Sequence, residues 1–536
     1  MNTAPRNLPV GIQDFKKLRQ GGYVYVDKTQ FVYELARLDR PYFLGRPRRF
    51  GKSLFLSTLK AYFEGEKDLF DGLAIAELEK DWKKYPVIYI DLNREGYNNP
   101  TSLEAVLDFN LRQYEEKWGR NDDDISTCAT RFAGLIKRMC EKAKERVVVL
   151  IDEYDKPLIS TLDDISLNDE MRKTLKGFYG VMKAEDANLR FAMLTGVTKF
   201  SKVSVFSDLN QLIDISLDKN YSEICGISET ELQQYFQPEI QALADDNNMT
   251  CDAAFAEMKK RYDGYHFAKV SEDMYNPFSV LNTFEKRSFS DYWYKTGTPS
   301  MLVRQLRQEK VDTRKLEGEI TATESMIEDY RPGETTVIPL LYQSGYLTIK
   351  KYDRQNDRYY LGFPNEEVRY GFWKSLLPEY APANLWLMNT FFAGDFTESL
   401  HNGDVDGFMT QIKAFFASIE YDRIPKAQKN ENYFQLIFYL MFKLMGQFVR
   451  VEEKSAEGRA DAVVWTEKAI YVFEFKMTDT AEAALKQIDD KGYLIPYTAD
   501  HRSVVKIGVE FSAKTGVVKR WLFSICEGRS RSFKVE

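Results

Sequence analysis

The sequence predicts an α/β protein of several domains, built around a parallel β-sheet with helices on both faces. Short apolar runs alternate with helix-length stretches over residues 40–220, which is typical of strands joined by helical crossovers. One run, VVVLIDE at 147–153, is almost continuously apolar, as expected for a strand buried on both faces. From about residue 450 the pattern becomes β-hairpin, helix and strand, which predicts a second, smaller α/β domain.

The elements can be placed in order along the chain. Residues 220–320 are predicted to be mostly helical, and 335–375 read as a helix followed by two strand-like runs around a polar turn. Helices followed by such a hairpin suggest a small winged-helix-like module. The strands predicted for the parallel sheet are 42–44, 87–93, 147–153, 190–197 and 211–216. The predicted domains are 1–220 for the parallel sheet, 221–320 for a helical lid, 321–380 for the winged-helix-like module, and 381–536 for a helical connector and the C-terminal α/β domain.

Length, charge and the counts of cysteine and histidine argue against several classes of protein. The chain has 536 residues, too many for one core when a domain takes roughly 100–200 residues. The net charge of −7 excludes a uniformly basic nucleic-acid coat protein, so any such contact needs a local patch. The five cysteines are scattered without C-x-x-C pairs, and there are three histidines, which argues against a disulfide framework and a structural zinc site.

The sequence also predicts where the protein works. Its first residues contain no apolar stretch of the kind that a signal peptide has. The longest apolar-rich run, LIFYLMFKLMGQFV, is interrupted by Lys443 and Gln447 and is short for a membrane span of about 20 residues. We therefore expect a cytoplasmic protein with no membrane partner.

The stretch FLGRPRRFGKSLFL ends like a phosphate-binding loop. A strand, a close backbone approach at Gly51 and a following helix would direct N–H groups toward an anion. Lys52 would contact the outer phosphates of a nucleotide, and Ser53 would bind Mg²⁺. The usual spacing, G-x-x-x-x-G-K-[ST], requires glycine at position 46, where this chain has Arg46.

Three arginines distinguish this loop from the usual one. Arg46, Arg48 and Arg49 lie within four residues, and guanidinium groups bind phosphate oxygens in pairs. The arginines therefore predict an anion clamp that compensates for the absent glycine. The alternative is a basic surface turn that ends in GKS by chance.

Polar residues at two strand ends support a nucleotide site. The run VVVLIDE ends in Asp152 and Glu153. In P-loop ATPases, an aspartate at such a position holds Mg²⁺ through water and the following glutamate polarises the attacking water. The alternative for these acids is a helix cap or a solvated turn. Thr195, at the end of RFAMLTGV, is a candidate sensor of the γ-phosphate, although threonine is common in strands. The predicted cofactors are ATP and Mg²⁺.

A second group of ionisable residues lies in GRADAVVWTEKAIYVFEFKMTD, which predicts two strands joined by a short turn. Pairing of Trp465 with Ile470 would fix the register of this hairpin. In that register Asp461 lies opposite Glu474. Lys476 is two residues beyond Glu474 and shares its strand face. The sequence therefore predicts that two carboxylates and one ammonium group converge.

This combination suits metal-dependent cleavage of a phosphodiester. Two carboxylates can hold Mg²⁺, which lowers the pKa of a bound water, while a lysine orients that water. Asp461, Glu474 and Lys476 are the predicted catalytic residues, and the two acids are also predicted metal ligands. Glu431, on a predicted helix before the hairpin, is a candidate further ligand, and Gln487, on the helix after it, could join the site. The alternative is a salt bridge on an exposed hairpin, whose strands should alternate polar and apolar residues throughout.

The segments RPRRFGKS, LIDEYDKP, LTGVTKFS, YDGYHF, YNPFS and GRADAVV…YVFEFK together resemble a bacterial family. Its members join an AAA-ATPase-like domain to a C-terminal PD-(D/E)XK nuclease-superfamily domain. The resemblance runs from YVDKT at 25–29 to the final strands. RPRRFGK is common in that family, so Arg46 departs from P-loop proteins in general and not from these relatives.

The resemblance also carries residue roles. Some nuclease relatives have a Q-x-x-x-Y motif after the lysine, whereas Gln487 is followed at that spacing by Lys491 and Tyr493 comes later; this departure leaves the role of Gln487 open. The resemblance implies nucleotide contact at Lys52 and Ser53, Mg²⁺ or water roles at Asp152 and Glu153, and nuclease roles at Asp461, Glu474 and Lys476, with Glu431 as the upstream acid.

We therefore expect an ATP-gated, Mg²⁺-dependent nuclease, with Mn²⁺ as an alternative metal. The expected partner is nucleic acid, with DNA favoured over RNA, and the sequence leaves open whether the chain forms a homo-oligomer. One alternative is a nucleotide-dependent switch or scaffold whose nuclease-like domain binds nucleic acid without cutting it; the retained Asp461, Glu474 and Lys476 argue against this alternative. Another is an ATPase or kinase whose C-terminal hairpin is structural.

Overall fold

A computed structural model shows how the chain folds. Contacts divide it into two compact units, one made of Met1–Thr298 and Gln305–Arg369 and the other of Pro299–Arg304 and Tyr370–Glu536. The structure describes residues 6–93, 96–120, 127–199, 211–296, 302, 306, 309, 313–328, 330, 336–381, 395–419, 431–444, 448–455 and 458–526.

The first unit contains the predicted parallel sheet. Its strands lie in the order β2-β3-β4-β1-β5, and every neighbouring pair is parallel. The carboxyl ends of all five strands therefore meet at one edge, where ligands bind in sheets of this kind. The strands are β1 Pro41–Gly45, β2 Val87–Asp91, β3 Val147–Asp152, β4 Leu189–Gly196 and β5 Ile213–Asp214.

Two groups of helices cover this sheet. The helix that follows the phosphate loop, α3, packs on β2, β3 and β4, and it also contacts α1 and α2. A second group, α5, α6 and α8, packs together, and its α6 contacts β3. Since β3 is buried along its whole length, the sheet is covered on both faces, as predicted. The helices are α1 Phe15–Gln20, α2 Thr29–Ala36, α3 Lys52–Phe63, α4 Ala74–Leu78, α5 Pro100–Trp118, α6 Cys128–Ala143, α7 Lys156–Ser160 and α8 Ile165–Ala184.

The rest of this unit is a helical region, which we call the lid after the sequence prediction, followed by a small three-stranded sheet. A buried apolar cluster from α9, α10 and α11 forms the lid core. The small sheet has the antiparallel order β8-β10-β9, and two helices lie between β8 and β9 in the sequence. The lid elements are β6 Ile227–Ser228, α9 Glu229–Asp246, α10 Cys251–Tyr262, β7 Met274–Tyr275 and α11 Pro277–Lys286. The small sheet and its helices are β8 Glu317–Ala322, α12 Glu324–Glu328, α13 Ile338–Gln343, β9 Thr348–Asp353 and β10 Arg358–Gly362. The next helix, α14 Glu366–Tyr380, begins in this unit and continues into the second.

The second unit is a mixed sheet with helices. Its strands lie in the order β11-β12-β13-β14-β15, with β13 and β14 parallel and the other pairs antiparallel. The parallel pair is joined through α18, whose Ile488 packs into a cluster with Val463 and Val472. These elements are α15 Asp395–Asn402, α16 Val405–Ala417, α17 Glu431–Leu444, β11 Phe448–Ser455, β12 Gly458–Trp465, β13 Ala469–Lys476, α18 Ala481–Asp490, β14 Ser503–Phe511 and β15 Val518–Cys526.

Candidate functional site

The phosphate-loop residues lie between β1 and α3, as the motif predicts. Gly51 adopts a left-handed conformation, φ 96°, directly before the first residue of α3, and glycine reaches this conformation without steric cost. Lys52 is buried, and its ammonium group donates to the carbonyls of Arg46 at 3.0 Å and Pro47 at 3.2 Å. Ser53 is half-buried in the first turn of the helix. The loop therefore presents a helix N-terminus and a lysine whose hydrogen bonds, within the described part of the chain, go to neutral carbonyls, which suits an anion.

Arg46 does not take part in the predicted arginine clamp. Its side chain is 1% exposed, and its guanidinium group donates to the carbonyls of Gly45 at 2.9 Å, Ser216 at 2.7 Å and Tyr221 at 2.9 Å. It also lies over the ring of Phe267, with 4.2 Å between Cζ and the ring centroid. A guanidinium group engaged in this way supports the backbone around the loop.

The other two arginines remain at the surface. Arg48 and Arg49 are both exposed. Arg49 has a left-handed backbone, φ 68°, which is uncommon for a residue with a side chain. Its guanidinium group lies 4.9 Å from the ring centroid of Phe278. Among the three loop arginines, only these two are exposed to an incoming anion.

The acidic strand end is held by hydrogen bonds from its neighbours. Asp152 is 3% exposed and ends β3. The hydroxyl of Thr195, at the end of the adjacent β4, donates to Asp152 Oδ1 at 2.6 Å. The backbone N–H of Glu153 donates to the same oxygen at 3.0 Å, and the hydroxyl of Tyr89 donates to Oδ2 at 3.3 Å. The structure thus brings together Asp152 and Thr195, which the sequence predicts as metal ligand and γ-phosphate sensor.

Glu153 has an unusual backbone for a residue at the end of a buried strand. It is half-buried and has φ 52°, a left-handed conformation that surrounding structure must stabilise in a residue other than glycine. Its charge acts on the pKa of the nearby Asp155. The predicted water-polarising residue therefore lies beside a second acid at this edge of the sheet.

Asp155 is a functional candidate that the sequence analysis missed. It is fully buried, and its Oδ2 accepts hydrogen bonds from the backbone N–H groups of Val197 at 2.9 Å and Thr198 at 2.5 Å. Burial, reinforced by the charge of Glu153, raises its pKa to about 7. A side chain at position 196 would collide with it, because a Cβ on Gly196 would lie 2.6 Å from Asp155 Oδ1. In the sequence, Asp155 resembles an ordinary helix cap before α7. Gly196, the glycine of LTGV, was the one local sign that another group packs closely against the end of β4.

In the second unit, the predicted hairpin register is correct. Trp465 pairs with Ile470, and the pairing continues to Ala462 with Phe473. Asp461, the next residue outward, accepts a hydrogen bond at Oδ2 from the backbone N–H of Phe475 at 2.6 Å. Its carboxylate is therefore fixed at the strand end that also carries the other two predicted catalytic residues.

Those two residues form an ion pair. Lys476 Nζ lies 2.9 Å from Glu474 Oε1, and the side chains of Glu474 and Lys476 are 2% and 16% exposed. The strand that carries them, β13, is buried along seven of its eight residues. An exposed structural hairpin, the alternative for this segment, would not bury both faces of its strand.

The helix before the hairpin supplies one described neighbour of this site. The side-chain amide of Gln435, on α17, donates to Asp461 Oδ1 at 2.8 Å, and Gln435 is buried. The predicted upstream acid, Glu431, begins this helix, but its side chain lies outside the described residues. In the sequence, Glu431 lies four positions before Gln435 in this helix. Sequence reasoning overlooked Gln435 because a buried glutamine in an apolar helix carries no motif.

Gln487 contacts a tyrosine, although the spacing differs from that of the Q-x-x-x-Y motif. Its amide donates to the hydroxyl of Tyr493 at 3.4 Å. Tyr493 is 4% exposed and packs against Gly458, where a Cβ would lie 2.9 Å from the tyrosine ring. The chain turn after α18 therefore compensates for the two extra residues between glutamine and tyrosine.

The donor sets fit the expected cofactors. Two carboxylates beside a lysine, Asp461 and Glu474 with Lys476, are the hard oxygen ligands that Mg²⁺ prefers. A helix N-terminus with a buried lysine, opposite the acidic Asp152, fits a nucleotide with its metal ion. Among the residues that the structure describes, no three His, Cys, Asp or Glu side chains form a group that could bind a metal ion by themselves. In the same part of the chain, no helix combines the length and apolar character that a bilayer crossing requires.

Comparisons with known proteins identify both domains. The family described as "Predicted AAA-ATPase" matches residues 9–206, which contain the phosphate loop and the acidic strand end. The PD-(D/E)XK nuclease superfamily matches residues 429–521, which contain Asp461, Glu474 and Lys476. The chain therefore combines an AAA-ATPase-like domain with a nuclease-superfamily domain.

One relative matches along almost the whole chain. It is described as "Uncharacterized protein in vnfD 5'region" from Azotobacter chroococcum mcd 1, and it is 39% identical over 515 residues, covering 95% of this chain and 96% of the relative. The chain belongs to this bacterial family, in which an AAA-ATPase-like domain is joined to a PD-(D/E)XK nuclease-superfamily domain.

Two solved structures are more distantly similar. The Aeropyrum pernix ORC2 protein in ADPNP and ADP complexes is 13% identical, with a TM-score of 0.23 over 68% of this chain and 92% of that one. The Aeropyrum pernix ORC1 protein in complex with DNA is 11% identical, with a TM-score of 0.22 over 70% of this chain and 94% of that one. TM-scores this low do not define a shared overall architecture.

Proposed function

We propose that this protein binds and hydrolyses ATP in its first unit, and that its nucleotide state regulates Mg²⁺-dependent cleavage of nucleic acid, DNA in the first place, by its second unit. One observation carries the proposal: each of the two family-matched domains gathers its predicted reacting side chains at one place. Thr195 and Asp152 meet at the sheet edge, and Lys476, Glu474 and Asp461 meet at the end of the hairpin.

In the first unit, Lys52 and the N-terminus of α3 bind the phosphates, and Ser53 and Asp152 hold the nucleotide's Mg²⁺. Arg48 and Arg49 are the exposed loop cations that attract the anion. Glu153 then polarises the attacking water, as an acid after such a strand does in other P-loop ATPases. Thr195 keeps the Asp152 carboxylate oriented toward the metal.

In the second unit, Asp461 and Glu474 are the proposed metal ligands, with Glu431 as the further acid. The metal ion, when bound, supplies Lewis acidity toward the phosphate and a water of lowered pKa. The chain's own contribution is orientation: Phe475 and Gln435 fix the two oxygens of Asp461. Lys476 forms an ion pair with Glu474, and its ammonium group would orient the attacking water.

The small sheet of the first unit is a proposed contact for nucleic acid. Its element order, β8, two helices and the hairpin β9–β10, supports the predicted winged-helix-like module. Lys351, Arg354 and Arg358 of this hairpin are exposed, and such cations contact the phosphate backbone. Asp353 and Asp357 lie between these cations in the sequence, so the hairpin carries a small net positive charge in a chain that is acidic as a whole.

The experiment is a cleavage assay on supercoiled plasmid and on single-stranded DNA, with Mg²⁺ or Mn²⁺ and with or without ATP. The expected result is metal-dependent cleavage that Asp461→Ala abolishes and that responds to ATP in the wild type but not in Lys52→Ala. Nucleic-acid binding without cleavage under any condition would contradict the proposed nuclease. It would favour the alternative hypothesis of a nucleotide-dependent switch, in which the nuclease-like domain binds nucleic acid without cutting it.

A further inference from the structure

The loop sequence RPRRF makes a run of contacts that the proposed ATPase chemistry does not explain. These five residues precede Gly51 and carry the loop's unusual arginines. Each of them contacts a residue that lies well beyond the parallel sheet in the sequence, in the lid or in the loop before β9. The segments YDGYHF and YNPFS, which stand out in the sequence without an assigned role, supply three of these contacts.

The first two contacts involve the residues whose carbonyls hold the loop lysine. The guanidinium group of Arg46 lies over the ring of Phe267, with 4.2 Å between Cζ and the ring centroid. Pro47 packs against Gly345 so closely that a Cβ on that glycine would lie 2.6 Å from Pro47 Cβ. The carbonyls of Arg46 and Pro47 both accept hydrogen bonds from Lys52.

Three further contacts complete the run. The indole N–H of Trp293 donates to the carbonyl of Arg48 at 3.0 Å. The Arg49 guanidinium group lies over the ring of Phe278. The loop phenylalanine, Phe50, packs edge-on against Tyr265 with 4.7 Å between centroids, and its carbonyl accepts a hydrogen bond from the N–H of Gly226 at 3.2 Å.

We propose that three of these residues are positioning residues for nucleotide binding: Phe267 and Trp293 of the lid region and Gly345 before β9 set the geometry of the phosphate loop and so the position of the Lys52 ammonium group. The inference rests on the proposed function, since it concerns how the same nucleotide site is regulated. A shift of the lid moves the carbonyls that hold Lys52. Conversely, phosphates that draw Lys52 away release those carbonyls and the segments packed on them. By linkage, both directions have the same coupling free energy.

The arrangement also explains why arginine replaces the usual glycine at position 46. Arg46 reaches two regions outside the loop, the carbonyls of Ser216 and Tyr221 and the ring of Phe267, which a glycine could not contact. The run RPRRF therefore links the loop to the lid.

The test is isothermal titration of Mg-ATP into the full chain, with thermal unfolding measured on each variant. Phe267→Leu is compared with Phe284→Leu, because both rings are buried in the lid, 7% and 4% exposed, but Phe284 stacks on Phe236 instead of the loop arginine. We expect the affinity to fall by about fivefold or more for Phe267→Leu and by less than about twofold for Phe284→Leu, at similar losses of thermal stability.

A second pair tests the same coupling through the backbone. Gly345→Ala forces a methyl group into Pro47, whereas Gly318→Ala meets no atom within 4 Å. Both glycines have positive φ, 91° and 107°, so both variants carry comparable backbone strain. Weaker Mg-ATP binding is expected only for Gly345→Ala. Trp293→Phe removes the indole N–H donor together with part of the buried ring, while Glu367 still holds the backbone of residue 293 at 2.6 Å. It is the milder third variant, with an expected loss of about threefold.

The outcomes separate the two proposals. A wild type that binds no Mg-ATP contradicts the proposed nucleotide site, and the coupling with it. A wild type that binds Mg-ATP, with equal affinities within each variant pair, contradicts the coupling alone. A loss of affinity in Phe267→Leu and Gly345→Ala that is absent from their matched controls supports the coupling, because the controls share the loss of stability but not the contact with the loop.

Discussion

The two candidate sites hold their lysines in opposite electrostatic settings. In the first unit, the Lys52 ammonium group donates to two neutral backbone carbonyls, so an incoming anion can take their place without breaking an ion pair. In the second unit, Lys476 is paired with Glu474, and Asp461 adds a second carboxylate. Two negative groups and one positive group leave one net negative charge, which attracts a cation and repels phosphate. The comparison indicates that the first site binds its anion with limited help from metal, whereas the second must bind metal before it can accept a phosphodiester.

Removal of divalent metal should separate the sites most clearly. With EDTA, cleavage should fall by at least about 100-fold, because no charge then offsets Asp461 and Glu474 against the substrate phosphate. Nucleotide affinity should fall by no more than about tenfold, because Lys52 and the helix N-terminus still bind the phosphates. The cleavage rate and the ATP affinity, each measured with and without EDTA on one preparation, check these two predictions. Equal sensitivity of the two sites to EDTA would contradict the comparison.

Loss of the loop lysine should produce the next largest effect. Lys52→Ala should weaken ATP binding by about 10–100-fold, because a charge-assisted contact to the outer phosphates disappears. Lys60→Ala, in the last turn of the same helix, is the matched control and should change the affinity by less than about twofold. Fluorescence titration with a labelled nucleotide measures both. A Lys52 variant that binds as tightly as its control would show that the loop is only a basic turn.

A smaller effect is expected in the second site when Gln435, the helix residue that donates to Asp461, is replaced. Gln435→Met keeps the volume but removes the amide that donates to Asp461 Oδ1. The half-saturating Mg²⁺ concentration for cleavage should rise by about tenfold, since groups that orient metal ligands have effects of this size. Gln411→Met, at a half-buried glutamine of α16, serves as the control. An unchanged Mg²⁺ dependence would mean that Gln435 has only a packing role.

At the first site the corresponding change is Thr195→Val, which removes the hydroxyl that donates to Asp152 Oδ1. We expect ATP hydrolysis to slow by about tenfold, because the carboxylate loses its orientation. ATP affinity should change by less than about threefold, since the loop is intact. Thr58→Val is matched in burial, and its hydroxyl donates to a backbone carbonyl within α3. If both variants slow hydrolysis equally, the effect reflects stability and not the orientation of Asp152.

The smallest expected effect concerns pH and the lid. Glu367 accepts hydrogen bonds from Ser279 and from the backbone of Trp293, and burial raises its pKa to about 7 from an ordinary value of 4.5. The folded state then binds a proton more tightly than the unfolded state, so stability falls as pH rises between these two values. Relative to Glu367→Gln, the wild type should lose on the order of 1 kcal/mol between pH 5 and pH 8.

Urea unfolding of both proteins at the two pH values measures this difference. The glutamine variant is its own control, because its amide can still donate to the Ser279 hydroxyl while its oxygen accepts from the backbone N–H groups. Parallel pH dependences in the two proteins would exclude Glu367 as the titrating group.

Local patterns predicted most of the framework. Five apolar runs predicted the five strands of the parallel sheet, and the pairing of Trp465 with Ile470 predicted the hairpin register, because both depend on short-range periodicity. Arg46 was assigned to an anion clamp because its neighbours in sequence are basic. Its actual partners, at Tyr221 and Phe267, lie more than 170 residues away in the chain, and no local pattern reports them.

Asp155 and Gln435 were missed for the same physical reason. Each is buried and hydrogen-bonded across the fold, Asp155 to the two residues that follow β4 and Gln435 to a residue of β12. In the sequence, one resembles a helix cap and the other a polar interruption of an apolar helix. A residue that orients a reacting group is recognised by its contacts, and those contacts form only in the folded chain.

In the proposed function, the nucleotide site regulates the metal site. The most direct test of this regulation is the ratio of cleavage rates with and without saturating ATP, measured on one substrate at fixed Mg²⁺ for the wild type and for Lys52→Ala. We expect ATP to change the wild-type rate by more than about twofold and to leave the variant's rate unchanged. A wild-type ratio within about twofold of unity, with ATP bound and cleavage intact, would contradict it and leave two independent activities on one chain.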